Sequence, residues 1–375
     1  MNTVFHDPQG IFSLGDLTTE DMQRLVDRSC ALYSDINAHD LPLRGSLAGL
    51  LFTKTSTRTR TAFTAGVSKL GGTAFAYGPN DLQTNTGESL ADTSRVFGSM
   101  LDVLVTRTSG PLEEMRMISR YGGLPVINAM AAEEHPTQGI CDLAMIKAAL
   151  GAVDGVRLLY IGEGNNTAVA LAHGLSHFPG CEATFLTPHG YGLPPGTLAA
   201  ASRRGAAAGS AFTELHSMSE LPGKVDVVYT TRWQTTGTSK PDPSWRQAFR
   251  PFFVTAELME RWPDSVFMHD LPANRGEEVS AEVLDGPRSL AWSQVRMKLT
   301  SAMAVLEWTL GAARKSADTY PPDVDPAGEL SGTDRDRPTS RNPAAGQTGR
   351  PSGPRGAAGG RGNHRGSKGP EIRAL

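Results

Sequence analysis

An apolar run, LAGLLF (47–52), leads directly into TKTSTRTRTAF, where Ser56, Thr57, Arg58 and Thr59 open a helical pattern. A strand that runs into a helix N-terminus leaves backbone N–H groups free, and here hydroxyls and a guanidinium stand beside them. The helix dipole and the fork of Arg58 act in the same direction, so this segment reads as an oxyanion or phosphate site that works without a metal. A Ser/Thr cap followed by surface arginines is the plain alternative, and the hydroxyls alone do not decide between the two.

Strands must position such a site. LAGLLF (47–52), TAFAYG (73–78), LDVLVTR (101–107), PVINAM (125–130), VRLLYIG (156–162), EATFLTP (182–188), DVVYTTR (226–232) and SVFMHDL (265–271) have the apolar density of buried strands. Helical patterns such as LEEMRMISRYG, GICDLAMIKAAL and TAVALAHGLSHF lie between them, several ending at Gly. Alternation of this kind predicts an α/β protein of two doubly wound parallel-sheet domains. ALGAVDG marks the division, with one domain over 1–150 and the other over 151–292, and a C-terminal helix near 293–312 is expected to pack back on the first. From about Lys315 the chain is rich in Gly, Pro and Arg and has no aromatic residue after Tyr320. It cannot bury enough apolar area to offset its chain entropy, so 315–375 reads as a disordered tail.

The 375 residues carry 36 Lys+Arg against 39 Asp+Glu, and the stretch from Lys315 takes 10 and 7 of these. The remainder is mildly acidic, so nothing demands a nucleic-acid partner, although the RGG-like stretch 355–365 could touch RNA or an acidic protein. Cys30, Cys141 and Cys181 lack CxxC or Cys/His spacing, which predicts free thiols, a reducing cytoplasm and no structural zinc. The start, MNTVFHDPQG, is neither basic nor apolar, and no run approaches the roughly 18 apolar residues of a membrane span, so no membrane association is expected.

STRTR (56–60), GESLADTSRV (87–96), HPTQ (135–138), IGEGNN (161–166) and HDLPANRGEEV (269–279) stand in the order and spacing of the aspartate/ornithine carbamoyltransferase family, which the chain resembles over about 10–310. The resemblance implies one domain for carbamoyl phosphate and one for the amino acid, in a homotrimer with active sites between subunits, and no cofactor or metal. By the same resemblance Ser56, Thr57, Arg58 and Thr59 cradle the phosphate, while Arg107, His135 and Gln138 hold the carbamoyl group. A neutral His and an Arg aimed at the carbonyl oxygen would stabilise the charge that develops as an amine attacks carbon. Gln83 resembles a loop residue that reaches into the neighbouring subunit's site. Thr86 stands where aspartate-type enzymes place a lysine, which favours the ornithine branch, citrulline as product and a place in arginine biosynthesis. Each residue also has a plain alternative: His135 before Pro as a loop residue, Arg107 as a surface charge, Gln138 as a helix-terminal cap.

On the amine side the pattern departs from the family. Asn165 and Asn166 resemble its contact to the amino acid backbone, although Asn also suits a tight turn. Ornithine enzymes carry an Asp and Ser-Met-Gly where this chain reads YTTRWQTTG, with Thr231 and Arg232 near the expected acid. Arg232 and Gln234 resemble a carboxylate grip of the aspartate enzymes. Asp270, followed by Leu271, replaces the ornithine-type cysteine; it could attract a cationic amino group and accept its proton, or cap the next turn. Lys298 replaces an arginine and loses its bidentate fork. The acceptor is therefore expected to be ornithine or a shorter diamino acid such as 2,3-diaminopropionate, with aspartate as a further option. A binding subunit that has lost catalysis is the rival from another class. A second rival, nicotinamide binding at Gly162-x-Gly164, fits poorly, because Thr167 fills the third glycine position and Glu182 precedes its strand.

Overall fold

The computed structural model describes residues 10–318, with side chains as far as residue 311. In chain order the elements are α1 (Thr19–Ser34), β1 (Leu47–Phe52), α2 (Arg58–Lys69), β2 (Thr73–Tyr77), α3 (Leu90–Met100), β3 (Val103–Arg107), α4 (Leu112–Gly122), β4 (Val126–Asn128) and α5 (Pro136–Leu150). A second series follows with β5 (Arg157–Ile161), α6 (Asn166–Leu175), β6 (Glu182–Leu186), α7 (Thr197–Gly205), β7 (Ala211–Leu215), β8 (Val227–Thr230), α8 (Trp245–Phe249), α9 (Ala256–Met259), β9 (Val266–His269), α10 (Ala281–Leu284) and α11 (Ala291–Asp318).

All strand pairs are parallel. The first sheet runs β2-β1-β3-β4 and the second β7-β6-β5-β8-β9. In each, the order reverses beside the first-formed strand, between β1 and β3 and between β5 and β8. Such switch points open a crevice at the carboxyl ends of the strands, where ligands bind in open α/β sheets. The register puts Phe52 beside Arg107, so the last residues of β1 and β3 stand at the rim together.

Side chains alternate between two cores with the period of two that a strand dictates. Leu50 and Phe52 join a central cluster with Leu158, Tyr160 and Tyr229 of the second sheet, whereas Leu51 and Leu104 pack in a cluster on the other side of the first. Leu159 and Ile161 belong to a third. The central cluster is shared by both sheets through α1, α5, α6 and α11. Helix α5 is buried from Pro136 to Ile146, and its His135 N-cap is followed by Pro at N1, where the missing N–H costs nothing.

Several expectations change. Strand β7, AFTEL, is absent from the sequence reading because it is an edge strand with half-exposed side chains and no apolar run. Helix α11 begins two residues before 293 and continues through Asp318, so 315–318 belong to it and not to a tail. The rest of the expected tail lies outside the described residues. Glu182 is the first residue of β6, at the end away from the crevice.

Candidate active site

A cavity of about 480 Å³ lies where the two crevices face each other. Its walls come from the β1–α2 junction (Thr55 to Thr59), the end of β3 (Arg107), the α5 N-terminus (His135, Gln138), the α6 N-terminus (Asn165 to Thr167), the loop after β8 (Thr231, Arg232 and Gln234 to Thr238), the loop after β9 (Asp270 to Pro272) and Lys298 of α11. Arg58, Arg107, Arg232 and Lys298 supply positive charge, and Asp270 is the one carboxylate among the lining residues.

At the β1–α2 end, Thr57 precedes the helix without a side-chain cap bond, so the first backbone N–H groups of α2 are not spent on its hydroxyl. Arg60 turns back, donating to the Phe52 carbonyl at 3.3 Å and stacking over the Phe52 ring, whereas Arg58 and buried Thr59 line the cavity. Burial and the neighbouring Arg232 lower Arg58, with Asp270 acting in the opposite sense. Arg107 is buried, and desolvation with the nearby Arg58 brings it down to about 10, which leaves it charged at neutral pH.

His135 is also buried, and desolvation together with Lys298, Arg107 and Arg58 holds it well below 6.5. It is neutral, as the sequence reading requires. Its Nε2 lies 3.3 Å from Arg107 Nη1, which can only donate, so Nε2 accepts and the proton sits on Nδ1, 3.4 Å from Thr137 Oγ1. In this arrangement the imidazole orients Arg107. Gln138 is no helix cap: its Nε2 donates to Asp142 at 2.7 Å, and its Oε1 accepts from the Lys298 ammonium.

On the opposite wall, Asp270 accepts from Thr231 Oγ1 at 2.9 Å and from Thr167 Oγ1 at 3.0 Å, so it does not serve as a turn cap. Leu271 has φ 52°, a left-handed conformation that costs a non-glycine residue about 1–3 kcal/mol and gathers at functional sites. Its N–H donates to His269 Nδ1 at 2.7 Å. Arg232 donates to the Gln234 carbonyl at 2.9 Å, and the Gln234 amide is turned to the Thr238 carbonyl at 2.8 Å. Both residues line the cavity, and Gln234 also closes its own loop.

The Asn pair also has structural work. Asn165 caps α6 through Thr167 N and Ala168 N and donates to Thr235 Oγ1 at 3.0 Å. Asn166 bridges the two halves, donating to the Ala131 carbonyl at 2.9 Å while its own carbonyl accepts from His135 N. The glycines of GEGNN follow from backbone geometry: Gly162 has φ 139°, and a Cβ on Gly164 would meet Gly192 C at 2.3 Å. A dinucleotide fingerprint is not needed to account for them. Gln83 is exposed, bonded to Thr86, and outside the cavity of its own chain.

Sequence reasoning overlooked Thr167, which entered only as a misfit in the glycine fingerprint, as well as Asp142, Tyr229 and Gln294 beneath the site. None of them lies in a motif with a readable spacing.

Paired switch-point crevices facing across one cation-rich cavity define a two-domain α/β protein whose shared cavity suits an anionic ligand. The family profile described as aspartate/ornithine carbamoyltransferase, carbamoyl-P binding domain, matches residues 9–148, and that described as the Asp/Orn binding domain matches 154–309. The chain belongs to the aspartate/ornithine carbamoyltransferase family. It is 35% identical over 297 residues to an ornithine carbamoyltransferase of Symbiobacterium thermophilum, covering 78% of this chain and 95% of the relative. It is 36% identical over 293 residues to that of Haloquadratum walsbyi, covering 78% and 95%. Among solved structures, ornithine carbamoyltransferase from Pyrococcus furiosus superimposes with a TM-score of 0.76 at 32% identity, over 82% of this chain and 99% of that one. These similarities lie on the ornithine branch.

Proposed function

We propose that the protein transfers the carbamoyl group of carbamoyl phosphate to the side-chain amine of an amino acid, with ornithine as acceptor and citrulline and phosphate as products. One observation carries the reading: Arg58, Arg107 and Lys298 with an uncapped helix N-terminus line one wall of the cavity, and its one lining carboxylate, Asp270, lines the opposite wall with Arg232. Phosphate suits the first wall and an ammonium group the second.

In this reading carbamoyl phosphate is held by Ser56, Thr57, Arg58 and Thr59, with Arg107 at the carbonyl oxygen and Gln138 beside the carbamoyl nitrogen. Arg107 is kept in place by neutral His135. Asp270 attracts the acceptor, and the amine, once it has lost a proton, attacks the carbonyl carbon. The new C–N bond forms, the oxyanion is stabilised by Arg107, and the C–O bond to phosphate breaks, with the remaining ammonium proton leaving with phosphate or to solvent. Phosphate is already a good leaving group, so orientation and fixed charge supply the rate, and no cofactor is required.

A second reading is favoured by one contact. Thr231, near the acid expected from the family resemblance, gives its hydroxyl to Asp270, so the carboxylate is anchored after β9 and not after β8. A shorter diamino acid such as 2,3-diaminopropionate suits a carboxylate displaced in this way. Phosphate release measured with ornithine, 2,3-diaminopropionate, 2,4-diaminobutyrate, lysine, aspartate and putrescine in turn, with product masses, tests both readings. Dominance of ornithine supports the first and dominance of a shorter diamino acid the second; no amine-dependent release would leave a binding subunit.

A homotrimer is part of the proposal. Phe75 of β2 and Val96 and Met100 of α3 are exposed on consecutive elements, and Gln83, between them, lies outside its own chain's cavity. Light scattering should give three chains per particle, and Gln83→Ala should lower activity.

A further inference from the structure

Beneath the cavity floor lies a carboxylate that touches neither substrate in the mechanism above. Asp142 is fully buried one turn after Gln138 on α5. Three donors from three elements converge on it: Gln138 Nε2 at 2.7 Å and Gln294 Nε2 at 2.8 Å reach Oδ1, and the Tyr229 hydroxyl reaches Oδ2 at 2.9 Å. A carboxylate, which only accepts, satisfies all three; a protonated acid does not do so as well.

Each donor continues to a part of the active site. Because Gln138 spends its NH₂ on Asp142, its carbonyl end is left for Lys298, so the carboxylate decides which way that amide faces. Gln294 spends its NH₂ in the same way, and its carbonyl accepts from His269 N at 3.0 Å, one residue before Asp270. Tyr229 stands on β8 two residues before Thr231, which bonds Asp270. One buried anion thus organises both walls.

We infer that Asp142 is a positioning residue for carbamoyl transfer, fixing Gln138 and Lys298 on the donor side and, through Gln294, the backbone that carries Asp270 on the acceptor side. This rests on the reading that carbamoyl phosphate binds against Arg58, Arg107 and Gln138. A buried ammonium with no anion would be costly, and Lys298 also faces Arg107 and Arg58, which favour loss of its proton, while Asp142 favours its retention.

The arrangement has a pH signature. Burial pushes Asp142 up to about 7 against the pull of Gln138, Gln294, Lys298 and Tyr229. Lys298, itself lowered by burial and supported by Cys141 and Asp142 against Arg107 and Arg58, is the neighbour whose charge is tied to that of Asp142. Tyr229 of β8 and Tyr160 of β5 are held well above 10, Cys141 of α5 is pushed up to about 12, and His135 is held well below 6.5. Protonation of Asp142 as pH falls through about 7 removes the anion, so the competent form exists above that pH.

Equilibrium binding of carbamoyl phosphate without any amine, by calorimetry from pH 6 to 8, isolates this step from titration of the acceptor. The wild-type protein should bind more weakly as pH drops below about 7. Asp142→Asn should bind about tenfold more weakly at pH 8 and show little pH dependence. Tyr229→Phe removes one donor, so the midpoint should move up by about half a pH unit or more, a readout that serves even if Asp142→Asn does not fold. An Asp142→Asn protein with wild-type affinity and pH profile, or an unmoved midpoint in Tyr229→Phe, overturns the inference. Arg58→Ala separates the two levels: unchanged binding in that variant would remove the donor-site reading itself, whereas lost binding there with an unaffected Asp142→Asn would remove the Asp142 proposal alone.

Discussion

The two ends of the cavity are built differently. At the donor end, Arg107 is the last residue of a central strand, Thr59 and His135 are buried at helix N-termini, and each charged group is held by strand or helix backbone. At the acceptor end, Arg232, Gln234 and Thr235 lie on the loop between β8 and α8, held by hydroxyls and by an ion pair between Lys240 and Glu163. Lys240 Nζ also sits about 5 Å from the rings of Tyr191, Trp245 and Phe249. A site on strand ends has its geometry set by the core, while a site on a loop can be retuned by a few polar contacts. On the amine side Asp270 and Thr231 also follow strand ends, so it is the Arg232 to Thr238 segment whose geometry is set by such contacts.

Mutations can break this contrast. The largest effect is expected at the donor end, where Arg58→Ala should lower kcat/KM for carbamoyl phosphate by about 10²-fold or more, roughly 2.7 kcal/mol of transition-state stabilisation. Near-normal turnover would show that the rigid end is not where the anion goes. Asp270→Asn keeps a hydrogen bond to each of Thr167 and Thr231, one hydroxyl now accepting from the new amide, but removes the charge, so kcat/KM for the acceptor should drop about 10- to 100-fold with carbamoyl phosphate affinity little changed. An equal loss for both substrates would erase the division into two ends.

Smaller changes sharpen it. Arg232→Gln should raise the acceptor KM by about tenfold if the guanidinium receives a carboxylate, and putrescine, which has none, should be used equally by variant and wild type. Thr235→Val removes one bond to Glu163 and one from Asn165, at about 1–2 kcal/mol, which denaturant midpoints would register. Its acceptor KM should rise only a few-fold. A comparable substitution in the core under Arg107 should instead affect turnover.

Legibility followed the same division. Ser56 to Thr59 and His135 to Gln138 are contiguous, so their strand-to-helix setting could be read from neighbouring residues, and Ser56 to Thr59, His135 and Gln138 line the cavity. Arg107 was legible as a strand end, although its burial beside His135 was not. On the amine side the named residues line the cavity, but residue types alone did not reveal their structural roles, because an amide or hydroxyl can serve the backbone as readily as a ligand. Asn165 caps a helix, Asn166 bridges the halves, and Gln234 closes its loop. Thr167, an apparent defect in a glycine fingerprint, is a partner of Asp270.

The sequence by itself determined the alternation of strand and helix, the two parallel sheets and the donor motifs, because periodicity, capping and short spacings act over a few residues. Only the tertiary structure decided which hydroxyls meet Asp270, that His135 is neutral, and that Asp142 gathers Gln138, Tyr229 and Gln294 from 87 and 152 positions away at the farthest two. Those outcomes depend on burial and on charges brought close by packing, and neither has a signature in the local order of residues.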